Sequence, residues 1–153
     1  MYSHGVLAPV VVLIIWSLVM LVWLYATRIP AMAAAKVNPE KVKDGGAPFD
    51  LLPVSARRPA QNYAHLMEQP TLFYAVCFAL QFLAMEAQGA VHPINIGLAW
   101  AYVALRVVHS LVQATVNIIM LRFLIFAVSS LVLGALIVHA AMASGLVWFS
   151  LPH

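Results

Sequence analysis

Charge is what this sequence of 153 residues has least of: Asp, Glu, Lys and Arg together make up 8% of it, and only five residues are acidic. With 64% hydrophobic residues and a mean hydropathy of +0.95, a water-soluble domain is excluded and the chain reads as an integral membrane protein. The eight Lys and Arg give a formal charge of +3, but they are too dispersed to form a basic helix or patch, which excludes nucleic acid as a partner. A single cysteine, Cys77, excludes an intrachain disulfide and, set in an apolar run, reads as a small buried apolar residue. No aspartate lies within the apolar runs, which argues against a Ser/His/Asp hydrolase, since nothing there would orient a histidine. No internal repeat is present, and the apolar runs leave no room for a separate soluble domain.

The apolar runs define four spans. The first, "VLAPVVVLIIWSLVMLVWLY" over 6–25, is long enough to cross ~30 Å of hydrocarbon, with Trp23 and Tyr25 suited to an interfacial belt and Arg28 just beyond. A cleaved signal peptide fits poorly, because "MYSHG" has no Lys or Arg and the apolar core is too long; a retained anchor is expected. Residues 29–61 hold five of the nine prolines, an adjacent glycine pair and most of the charge, so a loop with short interfacial helices is expected there. A second span begins near Asn62, with a kink at Pro70, which has no N–H to give and crowds the carbonyl of Leu66. After a short turn at 88–93 comes an apolar run of 56 residues, 94–149, which as one helix would reach ~84 Å. It must fold back, and Asn117 and Arg122 place the turn at 117–122. The expectation is one all-α, four-span membrane domain over 1–153, with spans at about 6–27, 62–87, 94–117 and 121–149 and a long loop at about 28–61.

Orientation follows from the cations. Arg28, Lys36, Lys41, Lys43, Arg57 and Arg58 lie at 28–58 and Arg122 ends the second turn, whereas the 88–93 turn and both termini have no Lys or Arg. The positive-inside rule puts the long loop and the second turn in the cytoplasm and both termini on the opposite side.

Against this apolar background the stretch "LRVVHSLVQATVN" at 105–117 stands out. Arg106, His109, Gln113 and Asn117 are spaced i, i+3, i+7 and i+11 and fall in one sector of about 80°. Scattered around the helix, such groups would each cost a few kcal/mol in hydrocarbon, whereas a stripe can face a partner helix or a wet cavity. At the start of the second span Asn62, His65, Glu68 and Gln69 fill a sector of about 120° on the same side of the membrane. A Glu68–Arg106 salt bridge is expected, with His65 or His109 nearby, because an unpaired ion at that depth is costly. Arg122 and Ser129 share a face of the fourth span, and His139, about 100° away, reads as a helix-contact histidine. His65, His109 and Glu68 have acceptable metal-ligand chemistry but no ligand spacing, and no metal is assigned.

The segments "ARRPAQNYAHLMEQPTLFYAVCFAL" and "YVALRVVHSLVQATVNIIMLRF" resemble the MAPEG superfamily, the membrane-associated proteins in eicosanoid and glutathione metabolism. The features in common are an arginine-preceded Asn…Glu…Pro motif opening the second span, an Arg-x-x-His in the third and an arginine opening the fourth. "NYAHLMEQPTLFY" is similar to an uncharacterised bacterial branch. The resemblance implies a homotrimer of four-helix bundles in a bacterial inner membrane, with glutathione bound between neighbouring subunits on the cytoplasmic side. It assigns Arg58 and Asn62 to the carboxylate and backbone of glutathione. Glu68 would meet the third-span arginine and the ligand's amino group, with His65 beside it; Arg106 and His109 match the Arg-x-x-His, and Arg122 occupies the position of the thiolate-stabilising arginine. Two departures bear on the conjugating chemistry more than on the fold. Asn62 and Glu68 are six residues apart where the eicosanoid enzymes have three, and Gln113 stands where those enzymes often place a ligand-contacting tyrosine.

The chemistry such a site needs is simple. A guanidinium beside a thiol lowers its pKa and makes a better nucleophile at neutral pH, and Arg58, Arg106 and Arg122 would provide two carboxylate clamps and one thiolate stabiliser. The lipid-facing side would admit a small lipophilic substrate. Two functions are compatible with these residues: a glutathione-dependent transferase or peroxidase, or a non-catalytic membrane scaffold or accessory subunit in which the same polar groups join helices and subunits. A transporter fits less well, because no Gly-broken pair of half-helices is present.

Overall fold

The computed structural model describes residues 5–37 and 52–146. They form five helices, α1 Leu7–Ala34, α2 Val54–Leu66, α3 Gln69–Glu86, α4 Pro93–Ala114 and α5 Ile119–Ala143, with no strand among the described residues. Helices α2 and α3 together make one of four membrane-length apolar segments, Val54–Glu86. The chain is an all-helical, multi-pass membrane bundle. Two parts of the expected plan, the stretch 38–51 of the long loop and 147–149 at the end of the fourth span, lie outside the described residues.

Helix α1 runs through Arg28 and Pro30 to Ala34, rather than ending near residue 27. At 1.5 Å per residue it is ~42 Å long and exceeds the hydrocarbon thickness. The alanines and Met32 that follow Pro30 are good helix formers, so the helix continues where the apolar composition changes. Its buried residues Pro9, Val10, Leu13, Ser17, Met20 and Leu24 recur at helical spacing and make one inward stripe. Ile14, Ile15, Leu18 and Val22 on the other faces are exposed, as expected for side chains in lipid.

The kink expected at Pro70 is a full break. Helix α2 ends at Leu66, the residue whose carbonyl a non-proline at 70 would have bonded, and Glu68 leaves helical geometry with ψ −98. Pro70 then sits in the first turn of α3, where a missing N–H costs nothing. Helix α2 begins at Val54, in the stretch where short interfacial helices are expected, and runs without interruption past Asn62, the expected start of the second span.

Helix α4 starts at Pro93, with the Ile94 N–H donating to His92 Nδ1 at 3.3 Å. The fold-back expected at 117–122 occurs at 115–118, between α4 and α5. Asn117 takes the left-handed conformation there, with φ 55, which asparagine tolerates better than most residues with a side chain.

The main core brings together Val10 and Leu13 of α1, Phe73, Val76, Cys77 and Leu80 of α3, Ala99, Tyr102 and Val103 of α4, and Leu133 and Leu136 of α5. The rings of Phe73 and Tyr102 stack at 4.4 Å. A smaller cluster of Met20, Leu66 and Ala114 lies toward the α2 end. Because lipid is as apolar as these side chains, packing and interhelical hydrogen bonds hold such a bundle together. Gln69 Nε2 donates to Ser130 Oγ at 2.7 Å, joining α3 to α5. His139 hydrogen-bonds Asn95, joining α5 to α4, a helix contact of the kind read from its position.

Candidate functional site

The polar residues singled out in the sequence gather at one end of the bundle, around the α2–α3 break and the α4–α5 turn. Helix α4 turns most of its stripe inward within the single chain: Arg106, His109, Ser110 and Gln113 are all buried, whereas Asn117, expected as the last member, lies beyond the end of α4 in the turn. Helix α2 lies against it. Asn62 donates its Nδ2–H to Ser110 Oγ, and Arg58 donates from Nη1 to the carbonyl of Thr115 at the end of α4.

Arg106 is 2% exposed. Its Nε–H donates to the Tyr102 hydroxyl at 3.0 Å, and its guanidinium carbon lies 5.3 Å from the centroid of the Tyr102 ring and 5.2 Å from that of Phe126. The charge is thus held by π faces and a neutral hydroxyl. Tyr102 in turn donates to Gln69 Oε1 at 3.4 Å, so a polar chain runs from Arg106 through Tyr102 and Gln69 to Ser130.

The expected Glu68–Arg106 salt bridge does not form. Glu68 has a side chain 66% exposed, and its Oε2 accepts from His65 Nδ1 at 3.1 Å. The break at Met67 and Glu68 turns the carboxylate away from the face that an unbroken helix would have given it. Among the described residues, this end of the bundle sets Arg57, Arg58, Arg106 and Arg122 against one acid, Glu68.

His65, His109 and Arg122 do come together. With Ile119, Phe123 and Phe126 they line a pocket of ≈ 310 Å³ between α2, α4 and α5. Phe126 belongs both to this lining and to the π sandwich around Arg106, and its ring lies 6.4 Å from that of His109. Arg58, Asn62, Glu68, Arg106 and Gln113 are not part of the lining. A separate cavity of ≈ 290 Å³ is lined by Arg28, Arg57 and Gln61 with Ala56, Ala60 and Ala64.

Many polar atoms at this end have unused hydrogen-bonding capacity. Among the described residues, Arg57 Nε, Arg58 Nε, Asn62 Oδ1, Arg106 Nη2, Arg122 Nε and both amide atoms of Gln113 are buried without a partner. Buried donors and acceptors are normally satisfied, and a concentration of exceptions marks a place where water or a ligand completes the network. Chemically, the cluster offers several N–H donors of positive charge next to an aromatic pocket wall, an arrangement suited to an anion with an apolar companion. No group of three His, Cys, Asp or Glu side chains among the described residues converges as metal ligands do.

Tyr102 and Phe126 are the site residues that the sequence alone did not bring forward. The available signal for Tyr102 was its position one turn before Arg106; for Phe126 no polar pattern existed. No curated protein and no solved structure matches the chain. The MAPEG family model matches residues 6–142, most of the length, and the chain belongs to that family.

Proposed function

We propose that the chain binds glutathione at the cationic end of the bundle and acts as a glutathione-dependent transferase or peroxidase on a small lipophilic substrate. The observation that carries this reading is the set of buried, unpartnered guanidinium and amide atoms beside a pocket lined by His65, His109 and Arg122. The fit to glutathione is chemical: a tripeptide with two carboxylates, a thiol and two amide groups matches a surplus of arginine N–H donors together with Asn62 Oδ1 and Gln113. Arg58, Asn62 and Arg106 would hold its charged and amide groups, and Arg122 would face its thiol. Bound glutathione supplies a thiolate nucleophile, or reductant, whose pKa a guanidinium lowers. His109, Phe123 and Phe126 would border the space left for an apolar substrate. In the same reading the functional unit is a homotrimer, the protein sits in a bacterial inner membrane, the α4–α5 turn faces the cytoplasm, and both termini lie on the other side.

A second reading has its own support. Arg58 and Asn62 are already engaged with Thr115 and Ser110 of α4, as they would be in a scaffold whose polar residues serve to join helices. Glutathione binding to protein purified in detergent separates the two. The enzymatic reading expects saturable binding and the ultraviolet band of a bound thiolate, lost in Arg122→Lys and Arg122→Ala, because lysine keeps the charge but not the planar fork. Wild-type protein that neither binds nor ionises glutathione would leave the scaffold.

A further inference from the structure

The turn between α4 and α5 holds two arginines at once. Thr115 offers its carbonyl to Arg58 Nη1, and two residues later Asn117 offers its side-chain Oδ1 to Arg122 Nη1. Asn117 is itself fixed by the backbone: it is left-handed, with φ 55, and its N–H donates to the Val112 carbonyl at 2.7 Å. Its amide therefore projects from a backbone-bonded corner, whereas Arg122 is a long side chain that, left alone near a membrane boundary, would reach toward water.

Arg122 lines the pocket with His65, His109 and Phe126, and among the described residues its Nε is buried without a partner. One arm of the guanidinium is thus committed to Asn117 while Nε remains unused. The acceptor is an amide, which makes a hydrogen bond but brings no negative charge. A carboxylate at the same place would hold Arg122 equally well and neutralise it.

We propose that Asn117 is a positioning residue: it orients Arg122 in the pocket and leaves its charge intact, and the turn that carries it also sets Arg58. The use made of that charge rests on the glutathione reading above; the positioning itself does not.

Two substitutions test it. Asn117→Gly keeps the left-handed backbone at no steric cost and removes the acceptor. Asn117→Asp keeps an acceptor and adds a charge. In ligand-free protein in detergent, modification of Arg122 by phenylglyoxal, followed by peptide mass spectrometry, should be several-fold faster in Asn117→Gly than in wild type and no faster in Asn117→Asp. Arg57 should react at one rate in all three, which general loosening of the fold would not allow. With glutathione added, both variants should raise the pH at which the bound thiol ionises by about one unit, one through misplacement of Arg122 and the other through neutralisation. An Arg122 rate in Asn117→Gly equal to wild type would overturn the proposal. If wild type shows no bound thiolate, the glutathione reading fails, and the modification rates still decide the role of Asn117.

Discussion

Arg106 donates its Nε–H to the hydroxyl of Tyr102, one helical turn earlier on α4, at 3.0 Å. A buried cation in a membrane bundle is therefore anchored by its own helix. Replacing Tyr102 by phenylalanine keeps the ring that stacks on Phe73 and removes the acceptor. Hydrogen bonds between membrane helices average well under 1 kcal/mol, but a buried charged donor left unpaired costs more, so Tyr102→Phe should destabilise by about 1–2 kcal/mol. Unfolding in mixed micelles measures this; no change in midpoint would mean that another group takes over the N–H.

Glu68 should matter little to stability. Its carboxylate is largely exposed and its partner is His65, so Glu68→Ala should cost less than about 1 kcal/mol. In a double-mutant cycle, the coupling of Glu68 to Arg106 should be indistinguishable from zero. A large coupling energy would restore the direct pair that the break between α2 and α3 removes.

Gln113 is 1% exposed, and neither amide atom has a partner among the described residues. Gln113→Leu, of similar shape, should stabilise the protein by about 1–2 kcal/mol by removing an unsatisfied amide from the interior. If the amide serves a ligand, glutathione affinity should fall in the same variant. A variant less stable than wild type would show that water or a neighbouring chain already satisfies the group.

Pro70→Ala would return an N–H to the point where α2 ends at Leu66. Spin labels at Ser55 and Met85 should then move apart as the two helices begin to join. An unchanged distance distribution would show that packing around Glu68 and Thr71, whose hydroxyl donates to the Glu68 carbonyl, maintains the break unaided.

These residues also show what could be read in advance. The α4 stripe was legible because 3.6-residue periodicity places Arg106, His109, Ser110 and Gln113 on one face and hydrocarbon penalises any other arrangement. Pro70 was legible because the loss of its N–H is covalent. The direction of Glu68 was not, since extrapolating a helical wheel from Asn62 assumes continuous helix and Glu68 itself is the residue that leaves it. Tyr102 and Phe126 were hidden for another reason: an aromatic ring in an apolar run looks like packing until a guanidinium is found against it. Helix ends were misjudged at Ala34 and Val54 because hydropathy reports where lipid ends, whereas helical hydrogen bonding continues into the interface. The trimer and the ligand depend on surfaces and molecules outside one chain.

The short connection at 115–118 also bears on how the protein enters the bilayer. Helix α4 carries Arg106 at depth, a residue that costs roughly 2.5–3.5 kcal/mol at the centre of an isolated span, whereas α5 is markedly more apolar. Separated by so few residues, the two are expected to leave the translocation machinery as a helical hairpin, with α5 drawing α4 in and Phe126 meeting the guanidinium at once. In a glycosylation-reporter insertion assay, α4 alone should integrate poorly and the α4–α5 pair efficiently; equal integration would make the pairing irrelevant to entry. On this view the sharp corner at Asn117 limits how long a buried arginine ever faces lipid without its partners, so biogenesis and the finished site depend on the same few residues.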